Sequence, residues 1–158
     1  MIFLTVGTQF PFDRLVKAVD SACSGGFVED EIFAQIGHSS YKPENFKFVE
    51  SLDKHNFDKN LKEASCLISH AGMGTITMAL EHNKPLLVLP RLAKFGEVVN
   101  DHQVDIVGQF EQLGHILVAY TEDQLPEKIK ELKTFVPKPR GNQAQLVVNR
   151  ISGFLNEL

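Results

Sequence analysis

The chain has 158 residues, of which 43% are hydrophobic and 23% charged, and this size and composition are typical of one globular domain with a single core. The formal net charge of −4 leaves no basic excess, which argues against a nucleic-acid-binding protein. No apolar run approaches the ~20 residues of a transmembrane helix, and the first residues lack the basic start of a signal peptide. With two cysteines, Cys23 and Cys66, the chain suits a reducing compartment, and we expect a cytoplasmic protein.

Short apolar runs alternate with segments of helical periodicity along the chain. Ile2–Val6 predicts the first strand, and the next helix begins at Pro11 or Phe12 and ends at Ala22, before two glycines. The remaining predicted elements are, in order, strands Glu31–Ile36 and Phe46–Val49, helix Asp53–Glu63, strand Cys66–Ser69, helix Thr75–His82, strand Leu86–Leu89, a helix from Asn100 or Asp101 towards Gln112, strand His115–Ala119, a helix opening at Thr121, and a terminal helix from about Asn142 to Leu155. Strands that alternate with helices indicate an α/β fold, so we expect one domain, 1–158, with a Rossmann-like parallel sheet flanked by helices.

The segment SHAGMGT, from Ser69 to Thr75, joins a predicted strand to a predicted helix. A helix N-terminus presents unpaired N–H groups and the positive end of the helix dipole. Gly72 and Gly74 let the backbone approach a phosphate closely, and Thr75 adds a hydroxyl or caps the helix. The pattern predicts a site for a phosphorylated ligand, with a nucleotide favoured. The alternative is a turn that needs glycine only for its geometry.

Two further loops leave predicted strands at the same edge of the sheet. Gly7 and Thr8 follow the first strand, and a polar loop follows Leu86–Leu89. Ligands of doubly wound sheets bind beyond the carboxyl ends of the strands, so these loops should face the glycine segment across one crevice. Arg91 and Lys94 bring cations to it. The densest polar cluster of the chain follows: Glu97, Asp101, His102 and Gln103.

Together these motifs resemble a known family. The segments TVGTQFPFDRL, SHAGMGT, KPLLVLPR, KFGE and NDHQ resemble the nucleotide-sugar-binding, C-terminal half of GT-B glycosyltransferases, the glycosyltransferase family 28 C-terminal domain. The chain is similar to the PssE-like donor-binding subunit of bipartite transferases of capsule and exopolysaccharide synthesis. It is also similar to the catalytic subunit of the eukaryotic transferase that adds the second GlcNAc to dolichol-linked oligosaccharide. The resemblance covers Met1 to about Gly114.

The resemblance implies a donor site with assigned residues. Gly72, Gly74 and Thr75 would contact the diphosphate, and His102 and Gln103 would recognise the donor sugar. The other donor-binding candidates are Gly7, Thr8, His70, Arg91, Glu97 and Asp101. His70 would either hydrogen-bond to a phosphate or fix the loop.

One position departs from the pattern of the family. In many relatives a Glu four residues past the second glycine binds the ribose, and Met78 stands there in this chain. Glu81 and Glu97 are the substitutes that the sequence offers.

The resemblance also implies an activity and a partner. The chain would be the UDP-sugar-binding catalytic subunit of a two-component inverting transferase that adds a hexose to a lipid-linked saccharide acceptor. Because only the donor half is matched, we expect the catalytic base to come from a membrane-associated acceptor-binding subunit, which would recruit the chain to the inner face of the plasma membrane; His70 is the possibility within this chain. Phe10, Phe12 and Phe95 are candidates for contact with that partner. A helix terminus and basic side chains can neutralise a diphosphate, so no metal or other cofactor is expected.

Other functions fit the sequence less well. A nucleotide-sugar-binding or regulatory module without turnover uses the same donor contacts and stays open. A metal hydrolase would need closely spaced ligands, whereas the six histidines are scattered. A triad hydrolase lacks a G-x-S-x-G segment, and a dinucleotide-binding redox domain lacks G-x-G-x-x-G after the first strand.

Overall fold

The computed structural model describes residues 1–139 and 142–157. Across these residues six strands form one sheet: β1 Ile2–Thr5, β2 Ile32–Gln35, β3 Lys47–Val49, β4 Cys66–His70, β5 Leu86–Leu89 and β6 Leu117–Val118. Their order is β3-β2-β1-β4-β5-β6, and every pairing is parallel. Strand order therefore reverses beside β1, where doubly wound sheets bind their ligands.

The α-helices lie on both faces of this sheet. Their bounds are α1 Asp13–Ser24, α2 Lys54–Glu63, α3 Met73–Glu81, α4 His102–Gln112, α5 Leu125–Leu132 and α6 Asn142–Asn156, with 3₁₀ turns at Ala93–Phe95 and Glu122–Gln124. In the part of the chain that the structure describes, none of the helices combines the length and the apolar character needed to cross a membrane.

The core is continuous through β1, which is buried on both sides. Ile2 and Leu4 pack into a cluster with apolar side chains of α1 and α5. Phe3 points to the other face and packs into a second cluster with α2, α3 and α4. A strand that is covered on both faces requires an uninterrupted apolar run, and this requirement explains the sequence of β1. The loops at its carboxyl end thus start from a rigid base.

Several predicted boundaries are shifted in the structure. The helix predicted from Thr75 begins at Met73, so Gly74 and Thr75 lie in its first turn. The predicted first residue of α2, Asp53, is its N-cap and accepts a hydrogen bond of 2.8 Å from the backbone N–H of Asn56. The strand predicted over His115–Ala119 is reduced to β6, because only Leu117 and Val118 pair with β5.

A buried carboxylate on α1 organises the connection between β2 and β3. Asp20, only 3% exposed, accepts hydrogen bonds from the hydroxyl of Tyr41 (2.6 Å), the N–H of Glu44 (3.1 Å), and the N–H (2.9 Å) and Nδ2 (3.0 Å) of Asn45. Burial acts to raise the pKa of Asp20, but these hydrogen bonds outweigh it and the pKa is lowered. The same contact raises the pKa of Tyr41 to about 12.

Replacing this carboxylate by an amide should make the protein less stable, and the effect should depend on pH. In Asp20→Asn the new NH₂ group faces donors, and we expect a loss of about 2–3 kcal/mol in the free energy of unfolding at pH 7. Because the folded pKa of Asp20 is below its unfolded value of ~3.9, the contribution of the carboxylate is complete above that value and is lost as the pH falls through the folded pKa. Urea unfolding at pH 7, 5 and 3 measures this. The difference in free energy of unfolding between Asp20→Asn and the wild type should be smaller at pH 3 than at pH 7. The exposed control Asp123→Asn should unfold with the same free energy as the wild type at each pH.

Candidate functional site

A cleft lies at the edge of the sheet where β1, β4 and β5 end. The loops that leave these neighbouring strands converge there, as the topology requires. The cleft has two lobes that share four lining residues: Gly7, Thr8, Gly74 and Thr75. A ligand at these shared residues can therefore extend into both lobes.

The two lobes differ in their walls. The first, here named the loop lobe, has a volume of about 450 Å³ and is lined by Gly7–Phe10, His70, Gly72–Thr75, Arg91, Val98 and Gln103. The second, the helix lobe, has a volume of about 580 Å³ and lies between α2 and α3. Its lining includes Lys54, Asp58 and Lys62 of α2, Met78 and Glu81 of α3, and His82, the C-cap of α3.

The start of α3 forms the boundary between the lobes. Gly72 is its N-cap, and Ile76 donates to the carbonyl of Gly72 over 3.1 Å. The preceding N–H groups of the first turn have no acceptor within the helix and carry the positive end of its dipole. Gly74 leaves this turn open, because a Cβ at that position would meet no heavy atom within 4 Å. The turn can therefore receive an anion at close range.

The imidazole of His70 determines which residues fit the two loops beside it. A Cβ on Gly72 would overlap the Nε2 atom of His70, and a Cβ on Gly7 would lie 2.8 Å from its Cε1 atom. Gly7 also has a φ of 75°, a conformation that favours glycine. One buried ring thus accounts for the glycine at both positions, and the positive φ is a second reason at Gly7.

The hydrogen bonds of His70 assign its proton. The hydroxyl of Ser69 donates to the carbonyl of Thr5 over 2.8 Å, so its oxygen can only accept from the Nδ1 of His70, 3.2 Å away. Burial and the nearby charge of Arg91 lower the pKa of His70 to about 4. His70 is therefore neutral at pH 7, carries its proton on Nδ1 and fixes the loop through Ser69.

Arg91 is a buried cation beneath the loop lobe. It is 3% exposed, and its Nη2 atom donates to the carbonyls of Val6 (2.7 Å) and Phe10 (2.6 Å), which lie at the two ends of the β1 loop. Its guanidinium lies 5.0 Å from the ring centroid of Phe12. The Nε atom is buried without a hydrogen-bond partner, and Arg91 forms no ion pair within the described ranges, 1–139 and 142–157. Burial lowers the pKa of Arg91, yet an arginine stays charged at neutral pH.

Glu97, expected in the donor site, is not among the lining residues of either lobe. Its carboxylate accepts two hydrogen bonds from Arg14, of 2.8 and 2.9 Å, and a third of 2.9 Å from the N–H of Leu92. Arg14 also donates to the carbonyl of Pro90 over 2.8 Å. The carboxylate of Glu97 is thus engaged in holding the β5 loop, which removes it as a substitute for a ribose-binding Glu.

The NDHQ segment divides between three environments. Asp101 accepts a hydrogen bond of 2.8 Å from the N–H of Ala93 and so fixes the β5 loop. The ring of His102 lies 5.5 Å from that of Phe154 and lines a separate cavity between α4 and α6. Gln103 reaches the loop lobe, with its Oε1 atom buried and without a hydrogen-bond partner among the described residues.

The structure therefore brings together eight of the eleven expected residues: Gly7, Thr8, His70, Gly72, Gly74, Thr75, Arg91 and Gln103. Glu97, Asp101 and His102 lie outside both lobes. Lys94 is exposed with its Nζ atom 4.8 Å from the ring of Phe95.

Comparison with known proteins identifies the family. Residues 1–155 match the model of the glycosyltransferase family 28 C-terminal domain. The chain belongs to this family. This chain is 33% identical over 124 residues to the human protein named UDP-N-acetylglucosamine transferase subunit ALG13. The match covers 73% of the chain and 10% of the human protein, so the chain spans about a tenth of this relative.

Solved structures share the fold of this family 28 chain. An NMR solution structure of ALG13 has a TM-score of 0.62 at 22% identity and covers 87% of each chain. A crystal structure of Acinetobacter baumannii MurG has a TM-score of 0.62 at 19% identity and covers 96% of this chain and 49% of that one. The predicted Rossmann-like fold, equivalent to the C-terminal half of a GT-B glycosyltransferase, is confirmed.

Sequence reasoning on this family 28 chain missed Gln35 and the α2 wall of the helix lobe. Gln35 accepts from the hydroxyl of Thr5 over 2.6 Å and donates to the carbonyls of Gly7 (3.0 Å) and Glu50 (3.1 Å). It thus ties the ends of β1, β2 and β3 beneath the cleft. The position of Gln35, a polar residue near the end of an otherwise apolar strand, was the sequence signal that could have identified it as part of the site. The α2 wall, with Asp58, carries the spacing of a solvated helix face and gave no such signal.

The packing of His70 on Gly72 can be tested by a double-mutant cycle. We expect Gly72→Ala to lower the free energy of unfolding by about 1–3 kcal/mol, because the new methyl group must displace a buried ring. In a His70→Ala background most of this cost should disappear. Urea unfolding of the four proteins gives the coupling energy.

Gly74→Ala is the matched control for this cycle, because a Cβ there meets nothing within 4 Å. Its effect should stay below about 1 kcal/mol. An equal cost for Gly72→Ala in both backgrounds would show that the ring is not what excludes a side chain.

Proposed function

We propose that the chain is the UDP-sugar-binding catalytic subunit of a two-component inverting glycosyltransferase. The observation that carries this proposal is the convergence of the α3 N-terminus and the buried Arg91 on the loop lobe. Free N–H groups at a helix end favour an anion. The buried guanidinium of Arg91 does so independently, because it forms no ion pair with the described residues and the charge of Glu97 acts on it only at longer range. A nucleoside diphosphate supplies that negative charge in a form that fits beside Gly74.

The two lobes provide places for the two ends of such a ligand. With its diphosphate at the shared residues of the lobes, the nucleoside would occupy the helix lobe, which has the apolar walls Leu52, Phe57 and Met78. The sugar would lie in the loop lobe, where the unpartnered Oε1 of Gln103 can accept from a hydroxyl.

The same groups suit the chemistry of transfer. Breaking the bond between sugar and diphosphate builds negative charge on the leaving group. The N–H groups of α3 and the charge of Arg91 would stabilise this charge as it develops, and their positions are fixed before the reaction by the fold. We therefore propose that no metal ion is needed to neutralise the diphosphate.

The general base is assigned to a partner subunit. An efficient base at neutral pH has a pKa near 7, whereas the pKa of His70 is about 4. The partner would hold the acceptor over the loop lobe. Two exposed aromatic rings are available for contact with it: Phe10, which lines that lobe, and Phe95, which lines a neighbouring cavity together with Phe10. Phe12 is not available, because it is 1% exposed and packs against Arg14 and Arg91.

The names of the relatives support a partnered transferase. The human and mouse proteins are named as a subunit of a UDP-N-acetylglucosamine transferase, and the fungal ones carry the same name. We propose transfer of a hexose to a lipid-linked saccharide acceptor in capsule or exopolysaccharide synthesis. The chain would act in the cytoplasm, recruited to the membrane by the acceptor-binding subunit.

A nucleotide-sugar-binding module without turnover is the second candidate. The low pKa of His70 favours it, because His70, the histidine of the loop lobe, is then a poor general base at neutral pH. Transfer assays with the partner distinguish the two: turnover with UDP-sugar, acceptor and both subunits supports the transferase, and binding without turnover supports the module.

Calorimetric titration tests the donor site directly. We expect the full chain to bind UDP in the presence of EDTA and not to bind NADH. Gly74→Asp should abolish binding, because it places a bulky anion in the open first turn of α3. Gly153→Asp is the matched control, since Gly153 is also helical and a Cβ there would meet no heavy atom within 4 Å, but it lies on α6 outside the cleft. Binding of NADH instead of UDP, or binding that EDTA removes, would overturn the proposal.

A further inference from the structure

The helix lobe contains a carboxylate, that of Asp58, that makes no polar contact with the rest of the fold that the structure describes. Asp58 is half-buried on α2 and lines the lobe opposite α3. Lys54 and Lys62 lie one turn before and one turn after it on the same helix face, and both also line the lobe. Neither lysine forms an ion pair with Asp58. The carboxylate of Asp58 accepts no hydrogen bond from any residue that the structure describes. It contributes nothing to the stability of the chain through such contacts.

The other polar groups of the lobe floor are already occupied. Both hydrogens of the Gln35 amide donate to backbone carbonyls, and its oxygen accepts from Thr5. On α3, Met78 is apolar, and Glu81 has an interaction partner within the protein. Asp58 is thus the carboxylate of this lobe that is available to a ligand.

An ionised carboxylate selects the groups that can bind beside it. It accepts hydrogen bonds and cannot donate them, so it repels phosphate oxygens and attracts hydroxyl and N–H groups. The diphosphate belongs at the start of α3, where the dipole and Arg91 favour negative charge. The part of the ligand that lies beside Asp58 in the helix lobe must then carry hydroxyl or N–H donors. In a nucleoside diphosphate, the sugar attached to the phosphate carries two adjacent hydroxyls.

We infer that Asp58 accepts a hydrogen bond from the ribose 2′-hydroxyl of the bound nucleotide and makes the cleft selective for ribonucleotides over 2′-deoxyribonucleotides. The inference rests on the proposed function and adds a specificity-determining residue to that site. Loss of a hydroxyl from the ligand leaves the carboxylate buried by the ligand without its donor, and this penalty provides the selectivity.

The test is calorimetric titration of the full chain with UDP and with 2′-deoxy-UDP. Wild type should bind UDP at least about tenfold more tightly, as is usual for a hydrogen bond to a charged group. In Asp58→Asn the affinity for UDP should fall by a similar factor while that for 2′-deoxy-UDP changes little. The ratio of the two affinities, UDP over 2′-deoxy-UDP, should then approach one. The melting temperature of Asp58→Asn should equal that of the wild type, because Asp58 has no polar contact to lose.

Two control variants separate this role from general charge effects. Glu63→Gln removes an exposed carboxylate from the same helix outside the lobe, and it should leave the ratio unchanged. Glu81→Gln should also leave the ratio unchanged, whereas a collapse of the ratio in that variant would assign the ribose to Glu81.

The remaining outcomes are equally decisive. An unchanged ratio in Asp58→Asn overturns the inference while leaving the proposed function intact. Equal losses for both ligands would mean that Asp58 contacts a group that both share, the 3′-hydroxyl or the base, which overturns the assignment to the 2′-hydroxyl. Absence of UDP binding to the wild type would overturn the proposed function itself, and with it this inference.

Discussion

The guanidinium of Arg91 holds together the two loops on which the cleft depends. Its Nη2 atom donates to carbonyls at both ends of the β1 loop, and Arg91 itself belongs to the loop that follows β5. Arg14 makes the reciprocal connection, from the start of α1 to Pro90 and Glu97. The ring of Phe12 contacts both guanidinium groups, with its centroid 5.4 Å from the Cζ atom of Arg14 and 5.0 Å from that of Arg91. These hydrogen bonds and cation–π contacts fix the spacing of the loops before any ligand binds.

Local signals in the sequence were sufficient for the fold and for the glycine segment. A short apolar run such as Ile2–Val6, which ends at a glycine, favours a strand covered on both faces, and the alternation of such runs with helices indicates a parallel sheet. Gly72 and Gly74 were identified because the strand end, the glycines and the helix N-terminus that an anion could approach are all contained within a few consecutive residues. Thr8 and Arg91 followed from the rule that the carboxyl ends of neighbouring strands meet.

The parts that sequence reasoning did not reach depend on contacts between distant residues. Glu97 was expected in the cleft because it lies in a polar cluster, but its direction is determined by Arg14, which lies 83 positions earlier. His102 begins α4, and its ring packs against α6 instead of facing the cleft. Asp58 has the spacing of a solvated helix face, and only the position of α3 across from it makes that face part of a cavity. Periodicity carries no information on such pairings.

The two outer strands of the sheet have a consequence for assembly. An edge strand exposes unpaired N–H and C=O groups to which another chain can add a strand. Here one edge, β6, has two residues, and the other, β3, has three with the exposed Lys47 among them. Such short edges give an incoming strand few positions to pair with, and a lysine disfavours the dry contact that aggregation needs. The sheet is therefore protected against growth from either end, and association is left to its loops and helices.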